Sequence, residues 1–316
     1  MTSFPIPVVC IGGATIDRNL TCTHGFALGV SNPVTSASSF GGVARNVAES
    51  LGRLQGKVEL VSAVGNDSGG ARLRQHLVEA GVGVEHLMTV EGHTTAQYIA
   101  ALEGGDMRAA FADMDIFDQL NPDRVKPALA AITSASIVFA DCNLPAATIE
   151  MLFEGARKNQ YLLAIDGVSP AKCKRLPKAL DALGILFTNA AQVTQMTRVP
   201  SGFKGVERML KRGCRTMVAT MGPHGLILAE DSKVTVIEAP EVPIVSVSGA
   251  GDAVAAGTLF GLSRGIAIQD AVQFGVALAA LTLQSVHTVP PQLSLEAFYA
   301  SITPAEPPRK GKSRVH

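Results

Sequence analysis

The sequence predicts an α/β fold with a mostly parallel central sheet, on three observations. Short, nearly continuous apolar runs alternate with stretches of helical spacing along most of the 316 residues, as buried parallel strands alternate with their covering helices. Glycine is frequent, at 31 residues, and Trp is absent. That balance suits layers joined by tight turns better than an aromatic-rich binding surface. Finally, two polar segments, 15–40 and 94–111, alternate without helical spacing and predict strands outside the main sheet, placed as a small lid over one edge of it.

The elements follow in order. Residues 7–11 are an apolar run closed by Gly12-Gly13, which predicts the first strand. Val43, Val47, Leu51 and Leu54 share one face of a helix. Residues 58–64 are β-branched and predict a strand; 70–80 predict a helix that Gly81 stops. Within 94–111, Glu103-Gly104-Gly105-Asp106 marks a hairpin turn. Runs at 137–140, 162–165, 185–187 and 217–219 predict four more strands. Helical stretches at 146–157, 190–197 and 205–212 separate them, with a less regular one at 171–183. Later, a strand-like run at 245–248 enters a turn of small residues and then a helix reaching Leu262. The uncharged stretch 271–286 is shorter than the ~20 residues of a membrane span, and it holds Gln273 and Gln284, so it reads as a buried helix. No repeat or composition shift divides the chain. Residues 1–303 are expected to form one domain, with lid strands from about 15–40 and 94–111. Residues 304–316, with three prolines and four basic residues, are expected to be a disordered end.

Composition excludes several functions. Hydrophobic residues make up 47%, enough for a substantial core and against disorder. Lys+Arg 27 balance Asp+Glu 27, so no general electrostatic grip on nucleic acid or an anionic membrane is expected. The five cysteines (Cys10, Cys22, Cys142, Cys173, Cys214) are odd in number, widely spaced and without a Cys-x-x-Cys pair. That argues against a disulfide framework or a zinc site and for a cytoplasmic protein. Residues 1–17 have no basic start and do not read as a signal peptide. The seven histidines show no ligand spacing, and no Gly-x-Ser-x-Gly elbow is present. Gly12-Gly13 is not part of a Gly-x-Gly-x-x-Gly fingerprint, and Gly311-Lys312-Ser313 lacks the upstream glycine of a phosphate loop, Glu306 standing there.

The segment Gly249-Ala250-Gly251-Asp252 carries the most chemistry. The N–H groups at a helix start are unpaired and carry the positive end of the helix dipole. Small side chains let a phosphate approach them. A carboxylate beside an anion site is unfavourable unless it takes a proton from an attacking hydroxyl; otherwise Asp252 is simply a favourable charge at a helix start. Gly41-Gly42 open another helix, with Asn46 one turn in, where its amide serves a hydroxyl or faces solvent. Asp17 stands just past a strand end, where a carboxylate binds a diol or is a surface acid. Asp166 and Asn189 follow apolar runs, and the carboxyl ends of strands are where open α/β sheets bind ligands. Thr220-Met221-Gly222 also follows a strand, lining a nucleotide or making a turn.

Together these residues resemble the ribokinase-like (PfkB) family of small-molecule kinases, over about residues 8–299. Gly41-Gly42 with Asn46 matches the family's N-terminal signature and Gly249-Ala250-Gly251-Asp252 its C-terminal one. Within the family, Ser31-Asn32-Pro33, Gly42-Val43-Ala44-Arg45-Asn46, Ala140-Asp141-Cys142-Asn143 and Asp166-Gly167-Val168-Ser169 with Lys172 resemble the pseudouridine kinase branch. The resemblance implies a three-layer α/β/α sandwich with a β lid. It implies transfer of the γ-phosphoryl group of ATP, with Mg²⁺, to the 5′-hydroxyl of a nucleoside. It makes Asp252 the general base and Gly249, Ala250 and Gly251 the anion hole. Asp17, Gly41, Gly42 and Asn46 would hold the ribose, Thr220 and Gly222 the ATP, and Asn189 the metal-phosphate group, with Asp166 approaching the metal. The chain departs from the pattern at Gln192, where the family carries a Glu that organises the magnesium waters. Ser246 and Ser248 occupy the region where an acid and a hydroxyl hold a monovalent cation in some relatives, which leaves potassium (K⁺) dependence open. An exposed lid strand offers a place for a homodimer to pair. Three alternatives stand beside this reading: a kinase for another nucleoside, a kinase for a sugar such as ribose, and a non-catalytic nucleoside sensor. Gln192 is the sensor's only motive, and Asp252 argues against it.

Overall fold

The structure is a computed structural model and describes residues 5–130, 136–158, 160–200, 202–231 and 233–302. In chain order its elements are β1 (Val8–Ile11), β2 (Thr15–Cys22), β3 (Val34–Gly41), α1 (Val43–Arg53), β4 (Val58–Gly65), α2 (Ser68–Glu79), β5 (Leu87–Val90), β6 (Gln97–Glu103), β7 (Asp106–Asp113), α3 (Pro122–Leu129), β8 (Ile137–Asp141), α4 (Ala146–Arg157), β9 (Leu162–Asp166), β10 (Ile185–Asn189), α5 (Ala190–Thr197), α6 (Phe203–Lys211), β11 (Thr216–Thr220), β12 (Leu226–Glu230), β13 (Lys233–Ile237), α7 (Ala250–Leu262), α8 (Ile268–Leu283) and α9 (Leu295–Ile302).

Nine strands form the main sheet in the order β13-β12-β11-β10-β9-β8-β1-β4-β5. Pairing is parallel from β11 to β5 and antiparallel at β11–β12 and β12–β13. The short turn after β11 leaves no length for a crossover, so the chain can only double back. Alternate strand residues feed two cores. Val8 and Cys10 pack with Val47, Leu51, Leu259 and Leu278 of α1, α7 and α8 on one face. Val9 and Ile11 pack with Ile149, Phe153, Val193 and Met209 of α4, α5 and α6 on the other. The result is the expected three-layer α/β/α arrangement.

The remaining strands form a second sheet, β3-β2-β6-β7. Two antiparallel hairpins meet through the parallel pair β2–β6. Gly104 and Gly105 both have positive φ, 59° and 93°, as the two-residue turn between β6 and β7 requires. This lid is rooted by carboxylates. Asp141 Oδ2 accepts from the N–H of Gly13, just before β2, and of Ala44, just after β3. Asp67 accepts from the N–H and hydroxyl of Thr95, just before β6, and also caps α2 through the Gly70 N–H. Most of β3 and β7 is exposed, including Met107 at 61% and Phe111 at 65%.

Two expectations are corrected. Residues 171–183 are not a helix; only a 3₁₀ turn, Lys172–Arg175, forms there. Pro177 disfavours helical geometry before it, and Leu176, Leu180 and Leu183 are pulled individually into the core. Residues 245–248 are not a strand. Val245 and Val247 are 57% and 71% exposed, and the Val245 and Ser246 N–H groups donate to the Leu283 carbonyl instead of a ladder. Residues 304–316, expected to be a disordered end, lie outside the described residues.

Candidate active site

Asp141, Asp166, Asn189 and Thr220 are the last residues of four consecutive parallel strands, β8 to β11. Register sets Asp141 opposite Asp166 and Asn189 opposite Thr220. The start of α7 closes over this row. A cavity of about 100 Å³ results, lined by Asp166, Asn189, Gln192, Thr220, Gly251 and Asp252. Six residues singled out from the sequence therefore converge, although they come from five elements.

Gly249 is the N-cap of α7, with φ 81°. A Cβ there would also strike the Thr288 backbone, so this glycine is demanded by the path of the chain. Gly251 differs: nothing lies within 4 Å of where its Cβ would stand. Among the described residues, no acceptor within the chain takes the Gly251 or Asp252 N–H, and no side chain caps the helix. Two free donors at a helix start, beside open space, form an anion-binding concavity.

Asp252 is largely buried and its carboxyl is pushed up to about 6. Burial is the main cause. The hydrogen bond from Asn46 and the Arg45 charge pull it down, and Asp141 and Asp17 add to the rise. Asn46 Nδ2 donates to Asp252 Oδ2 at 2.5 Å. Asp166 is pushed further, to about 8, by burial and then by the Asp252 charge, against the Val168 N–H that donates to its Oδ1 at 2.6 Å.

Asp17, Gly41 and Gly42 do not border the cavity. They lie at the lid side, where the Gly42 carbonyl accepts the Asn46 N–H and the Gly41 carbonyl accepts from Arg45 Nε. Asp17 Oδ1 accepts from the Thr15 hydroxyl at 2.7 Å, and burial raises its pKa. A Cβ on Gly41 would overlap the Asp17 carboxylate, and one on Gly42, which has φ 95°, would overlap the Gly13 carbonyl. The two glycines thus let β1, β2 and the start of α1 close up. The α1 terminus is itself occupied, because Asp141 takes the N–H groups of Gly13 (2.9 Å), Ala44 (3.0 Å) and Asn143 (2.8 Å). The Asp141 carboxyl is still raised, since burial outweighs those donors.

Asn189 and Gln192 form a capping box at the start of α5. Gln192 Oε1 accepts from the Thr188 hydroxyl at 2.9 Å and the Asn189 N–H at 3.3 Å. Its oxygen is therefore held by the protein, and among the described residues its amide nitrogen has no hydrogen-bond partner. Thr220 Oγ1 donates to the Thr188 carbonyl at 3.3 Å. Gly222 opens a 3₁₀ turn, Gly222–His224, beyond β11 and outside the cavity. Ser246 Oγ accepts from the Ser248 N–H.

Three neighbouring residues were not among the candidates. Asp141, an acid ending a wholly apolar run, entered only inside the resemblance segment Ala140-Asp141-Cys142-Asn143, with no role assigned to it. Arg45, 2% exposed, entered only inside the resemblance segment Gly42-Val43-Ala44-Arg45-Asn46, with no role assigned to it. Lys172 Nζ donates to Asn143 Oδ1 and lies 3.3 Å from Met114 Sδ, at the exit of β7. At the amino ends of the strands, a concavity of about 290 Å³ lined by Arg157, Tyr161, Asp181 and Arg215 holds none of the candidate residues. Among the described residues, no group of three or more His, Cys, Asp or Glu could hold a metal, and no helix is long and apolar enough to cross a membrane.

Comparison with known proteins extends the geometry. The pseudouridine kinase of Escherichia coli (strain K12) is 28% identical over 306 residues, covering 95% of this chain and 97% of that protein. The guanosine-inosine kinase of Exiguobacterium acetylicum is 24% identical over 267 residues, covering 78% and 84%. A solved carbohydrate kinase from Agrobacterium tumefaciens superposes with a TM-score of 0.81 at 30% identity, covering 94% of this chain and 96% of that one. Residues 6–294 match the pattern of the pfkB family carbohydrate kinases. With this match running through both glycine segments, Asn46 and Asp252, the chain belongs to the pfkB family of carbohydrate kinases.

Proposed function

We propose that the protein transfers the γ-phosphoryl group of ATP to the 5′-hydroxyl of a nucleoside, pseudouridine. One observation carries the reading: Asp252 stands in the cavity beside two free N–H donors, with Asn46 holding one of its oxygens. Oδ2 is engaged, which leaves Oδ1 for the hydroxyl proton. The Gly251 and Asp252 N–H groups meet the charge on the moving phosphoryl group, an arrangement worth most where water is excluded. Asp17, on the lid, takes ribose hydroxyls. Asn189, Thr220 and the Gln192 amide nitrogen face the phosphates of ATP.

A magnesium ion carried on those phosphates fits the donor set. Among the described residues one Asp166 oxygen has no N–H partner, and burial with the neighbouring Asp252 charge raises its pKa, a cost that a cation would relieve. With no protein cage of acids among the described residues, the phosphates would supply most of the ligands, and Asp166 the one charged protein contact. Such an ion neutralises phosphate charge when bound.

The choice of pseudouridine rests on the likeness to the Escherichia coli kinase along nearly the whole of both chains. The likeness to a guanosine-inosine kinase supports a second reading, a kinase for another nucleoside. A panel of radiolabelled-ATP assays with pseudouridine, uridine, guanosine, inosine and ribose tests both. The highest kcat/KM is expected for pseudouridine. A purine nucleoside or ribose used at least ~10-fold better would overturn the substrate assignment, and no ADP from any of them would overturn the kinase reading.

A further inference from the structure

The chemistry above makes no use of Arg45, yet its guanidinium is enclosed by the protein, at 2% exposure. A buried guanidinium must spend its donors. Nε donates to the Gly41 carbonyl at 3.0 Å, and Nη1 to the Glu49 carboxylate. Nη2 donates to the Phe40 carbonyl at 2.6 Å, to Asn46 Oδ1, and to the Thr288 hydroxyl at 3.1 Å. Thr288 in turn lies 3.2 Å from Asn46 Oδ1.

We propose that Arg45 is the positioning residue of the phosphoryl-acceptor site, fixing the Asn46 amide so that its nitrogen, and not its oxygen, faces Asp252. The proposal rests on the reading of Asp252 as the base. An amide's two ends are alike in size, and its orientation is set by its partners. Here Arg45 and Thr288 present donors to one end and Asp252 a carboxylate to the other. A flipped amide would set donor against donor at Arg45 and oxygen against oxygen at Asp252. A counter-ion for Glu49 alone would have no need to reach Asn46.

Charge adds a second consequence. Asp252 feels the charges of Asp17 from β2, Asp141 from β8 and Asp166 from β9, and Arg45 from α1 is the cation that opposes them. Arg45 is also paired with Glu49, which His76 and Arg53 hold from outside. Without Arg45, Asp252 keeps its acidic neighbours and loses the charge that opposes them.

The test uses the full chain with ATP, Mg²⁺ and pseudouridine, or ribose if pseudouridine is not turned over. Arg45→Met, Arg45→Lys and Thr288→Val are compared with Asp252→Asn, and each variant's thermal midpoint is recorded. Arg45→Met is expected to lose about 10²-fold in kcat, as misplacement of a reacting group does, with little change in nucleoside KM. The acid limb of its kcat/KM profile is expected to move up by about one pH unit or more. Arg45→Lys, which keeps the charge and one donor, should restore the limb and part of kcat. Thr288→Val should lower kcat less, in the same direction. If Arg45→Met does not fold, Arg45→Lys and Thr288→Val decide by the same readouts. Wild-type kcat and an unmoved limb in the folded variants overturn the proposal. So does a kcat that falls only with the thermal midpoint while the limb stays in place. If Asp252→Asn keeps its kcat, it is the base reading that has failed, and the role of Arg45 falls with it.

Discussion

Asn46 Nδ2 reaches Asp252 Oδ2 across 206 residues of sequence, at 2.5 Å. This contact joins the two glycine-containing segments and ties the first helix of the chain to the seventh. It also holds one oxygen of a carboxylate whose residue lines the cavity.

Removing that carboxylate's charge is expected to leave the fold intact and stop the chemistry. Asp252→Asn should reduce kcat by about 10²–10⁴-fold, the usual worth of a general base, with nucleoside affinity nearly unchanged. Steady-state kinetics and calorimetric titration of the nucleoside measure the two effects. A kcat within a few-fold of wild type would remove Asp252 from proton transfer.

The same residue gives a pH dependence in both activity and stability. Its carboxyl is raised to about 6, so kcat/KM should fall about tenfold per unit as pH drops below 6. In the folded state the proton is held more tightly than at the ordinary value of 3.8. The stabilisation from that proton is complete below 3.8 and is lost as pH rises through about 6. At pH 7.5 the wild type therefore carries a buried ionised acid, and Asp252→Asn should melt a few degrees higher, at about 2 °C per kcal/mol for a chain of this size. At pH 4 the two proteins should melt together. Equal midpoints at pH 7.5 would contradict the buried charge.

Two glycines of one turn should behave oppositely. Gly251→Ala meets open space inside a helix and should stabilise by about 0.5–1 kcal/mol, while the added methyl intrudes where a phosphate would sit and raises the KM for ATP. Gly249→Ala has a left-handed backbone and a Thr288 contact against it, and should destabilise by about 1–3 kcal/mol. Chemical unfolding and ATP titration separate the cases, and matching stability changes would show that both glycines serve only the path of the chain.

Glu49 is 2% exposed and accepts from Arg45, from Arg53 at 2.8 Å and from His76 at 2.9 Å. Burial alone would raise its pKa, but the His76 hydrogen bond and the Arg45 charge bring it down to about 2. Glu49→Ala strands a buried guanidinium and should cost about 3–5 kcal/mol. The folded pKa is below the ordinary 4.5, so this contribution is present above 4.5 and lost as pH falls toward 2. The penalty should shrink over the same window. A cost under ~1 kcal/mol at pH 7 would show that solvent reaches Arg45.

The uncovered lid suggests association. We expect two copies to pair through the exposed β3 and β7 edges, with Met107 and Phe111 covered. Light scattering at micromolar concentration should give twice the chain mass, and Phe111→Asp should give the single-chain mass. A wild type of single-chain mass would rule this out.

Much of the framework was legible in the sequence, and the gaps have physical causes. The runs 137–140, 162–165, 185–187 and 217–219 each proved to be a strand, ending one or two residues later at Asp141, Asp166, Asn189 and Thr220. Hydrophobicity stops where chemistry begins, so an apolar run locates the site without including it. The β13 edge escaped because Val234 and Val236 sit on a largely exposed strand with little apolar contrast, whereas β12, a buried apolar run at Leu226–Ala229, was passed over although its pattern was plain. The valines at 245–248 misled in the other direction, being β-branched but left outside the sheet. The burial of Arg45 was not legible, because a basic residue in the first turn of a helix reads as solvated. Only the approach of β3 and Thr288 encloses it.

The carboxylate anchors at the lid's roots have a mechanical consequence. Asp141 clamps the entry of β2 and the exit of β3 to the core, Asp67 clamps the entry of β6, and the exit of β7 rests on Lys172. A flap fastened along such a line cannot swing free and can only rock about that axle. Asp17 belongs to the flap and Asp252 to the frame, so on the proposed function a stroke that shuts out water would also carry a sugar bound by the first toward the acid of the second.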